Sequence, residues 1–103
     1  MRKEILYDKN AVKELNGLKE EIQKEFETYI EILADEGRLE FPEARKVAKN
    51  LFEIRVIHEG AYRGFYAYAK RDYVVLLHFF GKKTQKTPLK DIKLAQQRFK
   101  QYE

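Results

Sequence analysis

Residues 51–83, LFEIRVIHEGAYRGFYAYAKRDYVVLLHFFGKK, decide the fold. β-Branched and aromatic residues fill three short runs, and glycine or charged residues separate them. The runs predict strands over Leu51–Ile57, Tyr62–Ala69 and Val74–Phe80, with turns at Gly60 and at Lys70-Arg71-Asp72. Connections this short make the strands an antiparallel meander. Alternation sets Phe52, Ile54 and Val56 on one face of the first strand, with Glu53 and Arg55 on the other. Arg63 interrupts the second strand, and the third is apolar on both faces, as a central strand is. The sheet is expected to carry a core on one side and basic residues on or near the other.

Working outward, Arg2–Tyr7 reads as a short strand. Asp8 can cap a long helix over about 9–36, whose stripe is Val12, Leu15, Leu18, Ile22, Phe26, Tyr29 and Leu33. Asn16-Gly17 can interrupt that helix, Glu20 and Lys24 support it at i, i+4, and Gly37 can end it. Pro42 predicts a short second helix to about Ala48, with Lys49-Asn50 turning the chain into the sheet. Beyond the third strand, Thr87 as N-cap and Pro88 at the first helical position predict a final helix to about Tyr102, packing by Leu89, Ile92, Ala95, Phe99 and Tyr102. The expected order is β-α-α-β-β-β-α, an α+β single domain over residues 1–103 with helices on a mostly antiparallel sheet.

Composition bounds the function. The 103 residues contain seven Tyr and seven Phe, enough aromatic mass for a core, and no Cys, which removes disulfides, thiolate metal sites and thiol nucleophiles. No signal peptide or long apolar run is present, so a soluble, cytoplasmic protein without membrane contact is expected. The net charge of +4 conceals an asymmetry: residues 1–53 carry 10 basic and 13 acidic side chains, residues 54–103 carry 11 and 4. The cationic half suits a polyanion, although a lysine-rich solvated surface has the same composition.

No paired carboxylates, Gly-rich phosphate loop or metal-ligand cluster is visible. His58 lies at a strand end beside Glu59, where it could titrate near neutral pH, although an ordinary turn histidine accounts for it better. His78, inside VVLLHFF, reads as a hydrogen-bonded core histidine. There remain Arg55, Arg63, Lys82, Lys83, Lys86 and Arg98, with tyrosines at 62, 66, 68 and 102. Rings that stack bases among cations that hold phosphates are what an RNA site needs. For Arg63 a salt bridge to Glu53 on the adjacent strand is an equal alternative.

Leu51-Phe52-Glu53-Ile54-Arg55-Val56 resembles the "LxELR" strand of HigB-like toxins, the phage-derived branch of the RelE/ParE superfamily. Arg63 matches their "YR" strand, residues 75–88 resemble "LLHxFxKKTQKTP", and Ile92, Ala95 and Arg98 match "IxxAxxR". The resemblance covers residues 51–98, about half the chain. It implies a type II toxin–antitoxin toxin with a RelE-like fold, held by a cognate antitoxin of helix-turn-helix type. It implies an endoribonuclease that cuts mRNA on the translating ribosome, with no metal or cofactor, by attack of a ribose 2′-OH on the adjacent phosphate. Arg63 and Lys83 would contact the scissile phosphate and His58 would accept a proton. Arg55, Lys82, Lys86 and Arg98 would bind the RNA, and Glu53 would orient Arg55 or Arg63. The tyrosine that some RelE relatives carry after the lysine pair is Leu89 here, with Tyr102 as a substitute near the end. ParE relatives share the fold and inhibit DNA gyrase, so a non-enzymatic inhibitor is the alternative.

Overall fold

The meander between residues 51 and 80 is present, and it is the middle of a larger sheet. The computed structural model describes residues 2–40, 42–82 and 87–103. The elements run β1 (Glu4–Tyr7), α1 (Lys9–Asn16), α2 (Glu20–Glu36), β2 (Ala44–Ala48), β3 (Leu51–Ile57), β4 (Ala61–Ala69), β5 (Tyr73–Lys82) and α3 (Leu89–Phe99). The sheet order is β1-β5-β4-β3-β2. β1 joins β5 in parallel, and the other pairs are antiparallel. The α+β class holds, with β5 an interior strand as its two apolar faces require.

The predicted helix over 42–48 is instead the edge strand β2, paired to β3 with Arg45 opposite Glu53. Ala-Arg-Lys-Val-Ala has ordinary helix propensity, but a hairpin to β3 satisfies its backbone where an isolated five-residue helix could not. Lys49-Asn50 is the two-residue turn of that hairpin, with Asn50 at φ 48. The Asn50 side chain also exchanges hydrogen bonds with the Tyr68 backbone, donating to its carbonyl at 2.9 Å and accepting from its N–H at 3.1 Å.

The long N-terminal helix divides at Asn16-Gly17 into α1 and α2. The Asp8 carboxylate caps α1, accepting from the Asn10 and Ala11 N–H groups at 2.9 and 3.3 Å. Gly37 ends α2 in the left-handed region at φ 82, where a side chain would be strained. Both helices lie on one sheet face, burying Leu15, Ile22, Phe26 and Leu33 against Ile54, Val56, Tyr66, Leu76 and Phe79.

The opposite face is not simply a basic surface. α3 covers most of it, over a second core of Leu51, Phe65, Ala67, Val75, Leu77 and Ala95. The charged residues Glu53 and Arg63 occupy the part of this face toward the β3–β4 turn. Leu89, expected to pack, is 62% exposed, and Ile92, Phe99 and Tyr102 make the contact instead. Between β4 and β5 the register shifts by one residue, Phe65 facing His78 while Tyr66 faces Leu76. That shift turns His78 toward α3 together with Leu77. Among the described residues no helix is long and apolar enough to cross a membrane.

Candidate functional site

The site begins with two buried charges. Glu53 on β3 and Arg63 on β4 are 1% and 2% exposed, and Arg63 Nη1 donates to Glu53 Oε1. Buried ions need such pairing, because desolvation would otherwise neutralise or expel them. The salt bridge considered from the sequence therefore exists. Two more groups join it. Arg45 Nε on β2 donates to Glu53 Oε1 at 3.1 Å, and the Thr87 hydroxyl donates to Glu53 Oε2 at 2.7 Å. Arg45 Nη2 closes the ring on Thr87 Oγ1 at 3.2 Å. Arg63 Nε is buried with no hydrogen-bond partner among the described residues. Thr87, predicted as the cap of α3, spends its hydroxyl on Glu53 instead, and Pro88 stands at the cap position without a side-chain bond.

Arg55 is exposed and lies directly across from Arg63 in the β3–β4 register. Sheet pairing thus brings Arg45, Glu53, Arg55 and Arg63 to one end of three adjacent strands. Lys82 ends β5 opposite Ala61 at the same end of the sheet. Lys83 and Lys86 fall outside the described residues. His58 stands beyond β3 with Nε2 3.7 Å from Glu21 Oε2 of α2. Its ring is therefore directed to the α2 side, while Glu53 and Arg63 belong to the α3 side. Among the described residues no group of His, Asp and Glu is arranged to hold a metal.

Arg98 is placed elsewhere. Its Nη1 and Nη2 donate to Glu14 Oε1 and Oε2, each at 2.9 Å, and Nη1 also donates to the Leu77 carbonyl at 2.9 Å. Glu14 further accepts from the Phe79 N–H at 3.1 Å and faces His78 Nδ1 at 2.9 Å. His78 Nε2 meets Asp91 Oδ1 at 2.7 Å. Ionised carboxylates only accept, so both histidine contacts are donor-to-acceptor bonds when the ring carries both protons. Burial would push the Glu14 carboxyl up, but bonds from His78, Arg98 and Phe79 outweigh it and hold it down at about 2. Tyr102, considered as a catalytic substitute, donates to Asp8 Oδ2 at 3.1 Å. These residues bolt α1, β5 and α3 together, and they are buried or half-buried.

Arg45 and Thr87 are the site residues that sequence reasoning missed. The signal for Arg45 was the Lys49-Asn50 turn directly before the strongest strand, which marks a hairpin and so a strand over 44–48.

The sequence model of the family described as "Phage derived protein Gp49-like" matches residues 13–100. No curated protein sequence matches the chain. Among solved structures, the free-state E. coli toxin RelE, a double arginine-to-alanine mutant, is similar with a TM-score of 0.72 at 16% identity, over 95% of this chain and 98% of that one. The same mutant in complex with a peptide of its antitoxin, RelBc, gives 0.66 at 18% identity over 84% and 87%. The toxin–antitoxin complex RelBE2 from Mycobacterium tuberculosis gives 0.62 at 16% identity over 80% and 100%. At these identities the likeness is one of fold, and the fold is that of RelE.

Proposed function

The chain belongs to the phage-derived Gp49-like family, and from that premise, joined to its RelE fold, we propose that it is the toxin of a toxin–antitoxin pair and acts as an mRNA endoribonuclease on the translating ribosome. The observation that carries this is the gathering of Arg45, Arg55 and Arg63 on three adjacent strands, around the single carboxylate Glu53. Cations fixed in advance by a sheet are suited to the charge that builds on a phosphate under attack.

In the proposed reaction a ribose 2′-oxygen forms a bond to the adjacent phosphorus and the bond to the 5′-oxygen breaks. One proton leaves the 2′-OH to water and one is returned from water to the departing 5′-oxygen, because His58, directed to Glu21 on the α2 side, stands across the sheet from this phosphate. Arg63 and Lys83 stabilise the charge on the non-bridging oxygens, and Arg55, Lys82 and Lys86 hold neighbouring phosphates. Arg98, with its guanidinium on Glu14 and Leu77, fastens α3 rather than RNA. No metal or cofactor takes part. The partner that silences the protein is an antitoxin, of helix-turn-helix type, with an acidic segment over the basic end of the sheet. The antitoxin complexes among the similar structures support the pairing. The work is done in the cytoplasm, where the ribosomes are.

A gyrase-directed inhibitor on the same fold is favoured by two facts. Leu89, at the place of the tyrosine of some relatives, is exposed, and Arg63 is buried against Glu53. Mapping the 5′ ends of cellular mRNA after induction separates the two. New ends within translated codons support the nuclease, and intact message with DNA damage overturns it.

A further inference from the structure

Arg45 differs from Arg63 in one respect that matters for a ligand. Arg63 is 2% exposed, whereas the Arg45 side chain is 48% exposed and still held at two points. Its Nε is bound to Glu53 and its Nη2 to Thr87. Those two nitrogens form one edge of the guanidinium plane, so the edge turned inward is the one that is anchored. The remaining donors, on Nη1 and the far side of Nη2, point away from the anchor. An arginine fixed along one edge, half-exposed and without a further partner among the described residues is a preorganised fork for a phosphate. Two guanidiniums on one carboxylate also leave a positive charge uncancelled in this network.

We propose that Arg45 is a phosphate-binding residue of the site, aimed by Glu53 and Thr87 as positioning residues, and that it takes a phosphodiester of the RNA chain beside the scissile one. This rests on the RNA-cleavage reading above. Of the two arginines bound to Glu53, Arg45 is the one open to solvent. Glu53 serves both arginines through Oε1, so it fixes their separation as well as their direction. Thr87 ties this fork to the residues immediately before α3.

The experiment is single-turnover cleavage of a short mRNA on programmed ribosomes, with the toxin concentration varied to separate half-saturation from maximal rate. For Arg45→Ala the half-saturating concentration should rise roughly 10- to 100-fold, the worth of one or two charge-assisted hydrogen bonds. The maximal rate should stay within about threefold, because Arg45 grips a phosphate that does not react. Arg45→Lys should recover part of the loss, and Thr87→Val, which keeps the charge but removes one anchor, should give a smaller rise. The melting temperature should fall by less than for Arg63→Ala, since Arg45 is half-exposed and Glu53 keeps Arg63 and Thr87. Unchanged half-saturation in Arg45→Ala overturns the assignment, as does a fall confined to maximal rate. Wild-type protein that leaves the message intact overturns the nuclease reading, and the role of Arg45 with it.

Discussion

Replacing Glu14 by Gln tests the bolt between α1, β5 and α3. Gln keeps the shape and can still accept from the Phe79 N–H and from one arm of Arg98. It loses the charge, and its amide nitrogen meets Arg98 Nη2, donor against donor. The cost follows from linkage. A carboxyl held at about 2 instead of 4.5 corresponds to roughly 3 kcal/mol of stability at neutral pH. Glu14 is 25% exposed, and with allowance for solvent screening the expected loss is about 2 kcal/mol. For a domain of this size that is a fall of roughly 8–10 °C in melting temperature. The sign with pH is fixed. The carboxyl is depressed in the folded state, so its contribution is present above 4.5 and is lost as pH falls through about 2. Urea denaturation followed by far-UV circular dichroism should therefore show wild type and Glu14→Gln apart at neutral pH and converging in acid. Equal midpoints at neutral pH, or a gap that widens on acidification, would refute the assignment of Glu14 as an ionised clamp.

Two further outcomes follow from the packing. Arg63→Ala removes one of the partners of buried Glu53 while Arg45 and Thr87 remain, so the loss should lie toward the lower end of the range for breaking a buried pair, about 3 kcal/mol, with growth arrest abolished. Thermal melting and toxicity on the same variants judge it: retained arrest removes Arg63 from the chemistry, and an unchanged melting temperature removes it from the structural network. Gly64→Ala would place a Cβ 2.8 Å from Phe79 Cε1 and 3.1 Å from Phe26 Cε1, overpacking the core at a cost of about 1–3 kcal/mol. A thermal melt within about 2 °C of wild type would show that these rings yield more than their packing implies.

What the sequence made legible is what local pattern determines. β3, β4 and β5 were readable because alternation and turn residues agree over each run. Asp8, Asn16-Gly17 and Gly37 were readable because caps and breaks act on their own neighbours. β2 was not, because Ala44–Ala48 carries no preference of its own and becomes a strand only by lying beside β3. At the site, Arg63 and Glu53 could be paired from the expected register, and Arg55 could be set beside them. Arg45 and Thr87 depended on the missed hairpin and on where α3 begins. The environment of Arg98 was hidden for a different reason. Its matched position suggested an RNA contact, yet its partner Glu14 lies 84 positions away, and no periodicity in either helix says that two polar residues will face one another through the core.

The parallel seat of β1 beside β5 also sets the order in which the molecule can assemble. β3, β4 and β5 are joined by short turns and can pair with neighbours already at hand, at little cost in loop closure. β1 is made first and has no strand to lie against until residues 73–76 exist. α1 waits longer still, because Glu14 and Asp8 receive Arg98 and Tyr102 across 84 and 94 positions. On a ribosome that delivers the chain from its N-terminus, the opening segments stay unlatched until the closing helix has emerged. The latch on α1 therefore closes only after Arg98 and Tyr102 exist, and a chain cut short before Arg98 would lack it.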